Sequence, residues 1–454
     1  MNVKLLTSLI SLFLLCPLIY LLYSVIGLSL DTFMYLWNNL LLGYSLNTLY
    51  LLLLTVFFSL ILGIIPAWFV STTNFKGKNF FDVILFLPLA IPSYIIAFTY
   101  SDLLSYTGPI QSIVRNNYPD FYKYVNHDYL QIEILAFLMA LVLYPYLYTA
   151  CRISFSLLGS NYINISKNLG MSQFQTFFKI ILPISRVSIF SGLFLIIMEV
   201  LNEYGAVKYF GINTFTSGIF RSWYSMEDIN TASILAVCLL IIVSIFFLLE
   251  RYSTSKYRYN YKPNDKVSGN YSTNKFSRIT IYLICLFPFI LGFFIPVIYI
   301  INNVFKTIDI IDFRELINLS LNSFFLASVS SLIIVAIAIF FQFIKKISKS
   351  KTVFYLSEIV SLTYALPGAV IALSLIIFLA YLTKLIGVSI AFGSVIILVY
   401  AYVMRYMAVG ISPLRSSFDK HPETFDDTGR NLGMTNIKLF KKIHLPININ
   451  SIYI

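Results

Sequence analysis

Apolar runs of 18 or more residues recur along the 454-residue chain, and nothing else in the sequence restricts its fold so strongly. Each run is long enough to cross a bilayer as a helix. Only 11% of residues are charged and 58% are hydrophobic, with mean hydropathy +0.82. Soluble domains carry about 25% charged residues, so that class is excluded. The fold class expected is all-α, a polytopic transmembrane bundle. About ten helices are predicted, at roughly 5–27, 46–70, 82–104, 129–151, 187–208, 232–250, 279–302, 320–344, 353–381 and 385–409. The first follows Lys4 directly, is too long for a signal-peptide core and lacks a small-x-small cleavage site, so it reads as an uncleaved span.

Net charge is +12. In a membrane chain this is read by loop, and it is no argument for a nucleic-acid partner. With the N-terminus in the cytoplasm, 25 of the 32 Lys and Arg fall on the cytoplasmic side and 7 outside. That asymmetry predicts an N-terminus-inside orientation. The polar segment 251–278, with seven Lys and Arg, reads as a cytoplasmic linker between a first half, 1–250, and a second half, 279–454.

The halves repeat in the same direction. Ser45-Leu46-Asn47-Thr48 matches Ser320-Leu321-Asn322-Ser323, offset by 275 residues, and Leu87-Pro88-Leu89-Ala90-Ile91-Pro92 matches Leu362-Thr363-Tyr364-Ala365-Leu366-Pro367. Parallel repeats of this kind pack about an axis along the membrane normal. After Pro183 the first half continues through two more predicted helices, whereas eight residues follow Pro446. The second half is therefore expected to be truncated, lacking the last two helices of the first.

A connector rich in positive charge occurs once per half, at about 152–186 and 410–447. The first copy reads Asn168-Leu169-Gly170-Met171 and then Ile180-Ile181-Leu182-Pro183. The second reads Asn431-Leu432-Gly433-Met434 and then Ile443-His444-Leu445-Pro446. Ten residues separate Gly from Ile in both, and each glycine is expected at a tight turn between two helical pieces.

No chemistry of covalent kind is legible. Gly77-Lys78 lacks the remainder of a P-loop, and the three histidines and four cysteines show no ligand spacing, so no metal site, cofactor or ATP hydrolysis is expected in the chain itself. Glu199, Asn202 and Glu203 stand at i, i+3, i+4 in an apolar helix, a spacing that puts all three on one face. Ionisable groups there face a partner or an aqueous path, so a pathway or gate role and a structural polar contact are both open.

The two connectors resemble the coupling loop of ABC importer permeases, whose pattern is Glu-Ala-Ala, then Gly, then Ile-x-Leu-Pro. The Gly and the Ile-x-Leu-Pro stand intact in both copies, while Asn164-Ile165-Ser166 and Asp427-Thr428-Gly429 replace the Glu-Ala-Ala. The resemblance implies that Gly170, Ile180, Leu182, Pro183, Gly433, Ile443, Leu445 and Pro446 couple to a cytoplasmic ATPase dimer. Met198-Glu199-Val200-Leu201-Asn202-Glu203-Tyr204-Gly205, with Tyr209-Phe210-Gly211, Thr214-Phe215-Thr216-Ser217-Gly218-Ile219 and Arg221-Ser222-Trp223, is similar to ferric-iron permeases of that class. This implies a fused inner-membrane permease of the type I fold that receives Fe3+ from a periplasmic binding protein through the segment 206–230. Thiamine, phosphonate and polyamine permeases share the architecture. A stand-alone secondary transporter or channel, or a remnant that no longer transports, are the readings of other classes.

Overall fold

The computed structural model describes residues 3–27, 30–256, 275–348, 350–361, 363, 366–387, 394–422 and 424–452. Among them there is no β-strand, and eight helices are long and apolar enough to cross a membrane, or ten if two bent helix pairs each count as one span. Most of the linker 251–278 lies outside the described residues.

In chain order the main helices are α1 (Val3–Ile26), α2 (Phe33–Thr72), α3 (Lys78–Ala90), α4 (Ser93–Asn117), α5 (Ile132–Asn168), α6 (Gln173–Ile184) and α7 (Arg186–Asn202). They continue as α8 (Ile229–Lys256), α9 (Arg278–Ile310), α10 (Phe313–Ser348), α11 (Lys351–Ser361), α12 (Gly368–Ile386), α13 (Val395–Lys420) and α14 (Thr424–Asn431).

Four expected helices need correction here, and a fifth, read as 187–208, ends at Asn202. The span read as 82–104 is two helices, α3 and α4, meeting at 86°. Pro92 forces the residue before it out of the helical region, and Ile91 is extended at φ −96, ψ 117. The span read as 353–381 is likewise split into α11 and α12, with α12 starting behind Pro367. The span read as 129–151 runs on to Asn168, because the apolar run stops at the hydrocarbon edge while the helical hydrogen-bond ladder does not. The last span begins at Val395 rather than 385, since Gly387, at φ 75, closes α12.

The residues fall into two compact units. In the unit built from Asp31–Glu227 and Ile241–Ile310, α2, α5 and α7 pack closely around Leu147. A Cβ on Gly192 would stand 2.9 Å from the Leu147 Cα, and one on Gly63 3.2 Å from its Cβ. Small residues admit such approach where the surroundings are as apolar as the side chains and packing drives association. Tyr144 and Tyr100, both buried, donate their hydroxyls to the carbonyls of Leu85 and Leu291, at 2.8 Å each. The two backbone oxygens belong to segments where the helices are irregular.

The other unit joins Met1–Leu30, Asp228–Leu240 and Ile311–Ile454. Its core is Ile334 and Ala338 of α10, Val360 of α11, and Val399, Val403, Met407, Ile411, Leu414 and Phe418 of α13, with Leu14 of α1. The α13 residues recur at three- and four-residue steps, which lines them along one side of the helix.

Candidate coupling elements

The two Gly…Ile-x-Leu-Pro connectors adopt one backbone, each within its own unit. In the first, Gly170 has φ +70, its N–H donates to Lys167 O, and Met171 N–H reaches Ser166 O at 2.9 Å. In the second, Gly433 has φ +73, its N–H donates to Arg430 O, and Met434 N–H reaches Gly429 O at 3.0 Å. This is a glycine-closed helix C-terminus in which two otherwise orphaned carbonyls are satisfied. A hydroxyl residue then starts the next helix in both. Ser172 Oγ accepts from Gln175 N and Gln175 Oε1 accepts from Ser172 N, at 3.3 and 3.1 Å, while Thr435 Oγ1 accepts from Lys438 N at 3.4 Å. These caps satisfy the orphan donors of the helix start.

The Ile-x-Leu-Pro pattern has its own structural signature. Pro183 and Pro446 lack an N–H and crowd the carbonyl four residues back. The helix widens by one residue just ahead of each, so that Leu182 N–H bonds Phe177 O and Leu445 N–H bonds Phe440 O. Beyond Pro183 the chain turns 71° from α6 into α7.

Each element is seated on aromatic rings. Phe177 lies 5.0 Å from Trp68 of α2 and 6.2 Å from Phe155 of α5. The repeat offsets map these three onto Phe440, Phe343 and Phe418, and Phe343 stands 4.9 Å from Phe440. The second seat also contains a polar pair. His444 Nε2 meets Asp426 Oδ1 at 2.7 Å, both nearly buried, with the His444 ring stacked 5.5 Å from Phe418. The equivalent first-copy positions are Ile163 and Ile181, also buried.

What faces outward matches as well. Leu169 and Leu432 are each 71% exposed, and Phe174 and Ile437 are 71% and 70% exposed. Of the sequence-predicted residues, Gly170, Gly433, Pro183, Pro446 and Leu445 are exposed and Ile180, Leu182 and Ile443 half-buried. The motif therefore shapes the element, while the outward apolar surface is carried by Leu169, Phe174, Leu432 and Ile437, which motif matching did not single out. Pairing the two copies by their offset would have found them.

An ion pair repeats too. Arg152 of α5 pairs with Asp82 of α3, whose other oxygen accepts the Tyr148 hydroxyl at 2.9 Å. Arg415 of α13, the residue equivalent to Arg152, pairs with Glu358 of α11 at 2.7 Å. In each unit the helix leading to a glycine turn is thus tied to the first piece of a broken helix. The two elements differ on one point. The first is continuous with α5 down to Asn168, whereas α13 stops at His421, extended at ψ 127 ahead of Pro422, before α14 begins.

The acidic triplet is only partly on one face. Glu199 and Asn202 lie on α7, half-buried, but the helix ends at Asn202 and Glu203 is extended. Glu203 Oε1 accepts from Ala206 N at 2.9 Å at the start of the short helix Gly205–Tyr209, and Thr216 Oγ1 donates to its carbonyl at 2.7 Å. Burial pushes the Glu203 carboxyl above its usual range, opposed by the N–H groups of Ala206 and Gly205 and by Ser93. No group of three or more His, Cys, Asp or Glu suited to a metal occurs among the described residues.

Residues 59–259 match the family described as binding-protein-dependent transport system inner membrane component. The chain is 25% identical over 412 residues to the Fe(3+)-transport system permease protein FbpB 2 of Haemophilus influenzae, covering 88% of this chain and 75% of that protein. It is 26% identical over 156 residues to the sulfate transport system permease protein CysT of Salmonella typhimurium, covering 34% of this chain and 54% of that protein. The molybdenum transport system permease protein ModB of Haemophilus influenzae is 28% identical over 159 residues, covering 35% of this chain and 67% of that protein.

Proposed function

We propose that this chain, of which residues 59–259 match the family of binding-protein-dependent transport inner membrane components, is the membrane subunit of an ATP-binding-cassette importer for ferric iron. The observation that carries the coupling part is the duplicated element. Two turns with the same left-handed glycine, the same hydrogen bonds and matched exposed apolar side chains are a pair of knobs suited to two like grooves. A dimer of separate ATPase subunits on the cytoplasmic side supplies such grooves. The 25:7 charge split supports placing the N-terminus, both coupling elements and the linker on that side.

In this mechanism ATP-driven closure of the dimer moves both elements, and the proposed halves 1–250 and 279–454 rock about the path between them. The Asp82–Arg152 and Glu358–Arg415 pairs carry that movement from α5 and α13 to the broken helices. Glu199, Asn202 and Glu203 line or gate the path, where negative charge favours a cation. The segment 206–230 meets the periplasmic binding protein. Iron is preferred over sulfate or molybdate because the Fe(3+) permease aligns over both halves, and the oxyanion permeases over about a third of the chain.

The test is uptake by the protein purified from its own membranes with its accompanying subunits and placed in liposomes. ATP- and binding-protein-dependent entry of radiolabelled Fe3+, reduced by Glu199→Gln with Glu203→Gln, is expected. Entry of sulfate or molybdate instead would overturn the substrate, and uptake without ATP would overturn the class.

A further inference from the structure

Two adjoining clefts, of about 410 and 280 Å3, open where α10, α11 and α13 end or begin, and Lys345 borders both. The larger is walled by Gln342, Lys345, Lys346, Phe418, Asp419 and His421, and the smaller adds Ser350, Lys351 and Tyr355. Three lysines thus border the two clefts, with Asp419 the one carboxylate among the residues that line them. Lys345 is bonded to Asp419 at 3.3 Å, and Lys346 donates to the carbonyl of His421 at 2.6 Å. Two buried polar atoms at the larger cleft have no hydrogen-bond partner among the described residues, Gln342 Oε1 and His421 Nε2. The Gln342 side chain is held in place, since its Nε2 donates to Ser357 Oγ at 3.2 Å.

The fold does not require this arrangement. The repeat sets Ala67, Val70, Ser71 and Leu158 of the other half where Gln342, Lys345, Lys346 and His421 stand here, and all four are buried. One half closes this corner with small and apolar side chains. The other opens it, places lysines on its rim and leaves hydrogen-bonding atoms unmatched. Unmatched buried polar atoms are costly, and a ligand carrying both an anion and hydroxyl groups would relieve both features.

We propose that this cleft binds a phosphate ester of a polyol, the chemistry of a glycerophosphate group. Lys345 and Lys351 take the phosphate, with Lys346 adding charge from behind. A hydroxyl donates to Gln342 Oε1, and His421 Nε2 meets the phosphate or a second hydroxyl. The group can arrive as the headgroup of an anionic lipid, since α10 ends its apolar span at this corner, or as a soluble glycerol phosphate. The site lies at the break between α13 and α14, so occupancy would brace the second coupling element.

The test needs no transport, so its outcome is independent of the proposed function. The full chain is placed in nanodiscs of mixed phosphatidylglycerol and phosphatidylcholine, and retained lipid is read by native mass spectrometry. Preferential retention of phosphatidylglycerol is expected. It should fall about twenty- to thirtyfold in Lys345→Gln with Lys351→Gln, at about fivefold for each lysine, and persist in Lys345→Arg with Lys351→Arg. In discs that also contain phosphatidic acid, Gln342→Leu, which leaves the charges in place, should lose the preference for phosphatidylglycerol over phosphatidic acid. In pure phosphatidylcholine discs, a rise in thermal midpoint on adding sn-glycerol 3-phosphate without any lipid preference would assign the soluble source. Neither preference nor midpoint shift, or equal binding by the glutamine variants, overturns the site.

Discussion

Replacing Gly170 or Gly433 by alanine isolates the turn of each coupling element from everything around it. The two glycines sit at φ +70 and +73, and a Cβ at either would meet nothing within 4 Å. Crowding therefore contributes nothing, and the cost is that of the left-handed backbone, about 1–2 kcal/mol. If docking requires the closed turn, its population and the affinity for the ATPase subunit fall together, by about five- to thirtyfold per substitution. The assay is titration of the purified ATPase onto the permease in nanodiscs, with the thermal midpoint of the membrane part followed in parallel. Alanine should weaken binding and leave the midpoint unchanged, and asparagine, which visits this conformation more readily, should weaken it less. Gly211 is the control, since it has φ +67 with equally open surroundings but lies outside both elements. Gly211→Ala should carry the same local strain and leave binding untouched. Unchanged affinity in Gly170→Ala and Gly433→Ala, or equal loss in Gly211→Ala, would refute the reasoning.

A double-mutant cycle on Arg415 and Glu358, whose side chains are 28% and 18% exposed, should give a coupling of about 1–2 kcal/mol in thermal unfolding. The more open Arg152–Asp82 pair, at 41% and 24%, should give under about 1 kcal/mol. Equal couplings would show that burial does not set their strength. Gly192→Val should destabilise the packing of α7 on α5 by about 1–3 kcal/mol, because even a Cβ there stands 2.9 Å from the Leu147 backbone. A midpoint equal to wild type would mean the helices separate without cost.

The spans were legible because hydrocarbon thickness sets a length that apolar runs must reach, and the duplicated turn was legible because few residues other than glycine accept φ near +70. Hydropathy could not show the bend at Pro92 or the helix break ahead of Pro367, since the apolar run continues through both. Nor could it show that α5 outlasts its apolar run. Glu203 looked like a neighbour of Glu199 by spacing alone, and the helix stops one residue too early for that. The ion pairs join residues far apart in the chain, so only the offset between halves hints at Arg152 and Arg415. The outward Leu169 and Leu432 resembled ordinary apolar residues until their surroundings were known.

The unequal approach to the two turns has a mechanical consequence. The 37 residues of α5 form one continuous helix about 55 Å long, with Pro145 and the Gly159-Ser160 pair as internal weak points. A tilt of about 5° along such a helix moves its tip by about 5 Å, so in the proposed mechanism movement of the first knob would be carried along a single helix. In that mechanism the second knob would push through a joint at His421-Pro422, where the chain leaves the helix before α14. One side of the proposed machine would then act as a lever and the other as a hinged strut, and a stroke that opened the first half need not open the second by the same amount.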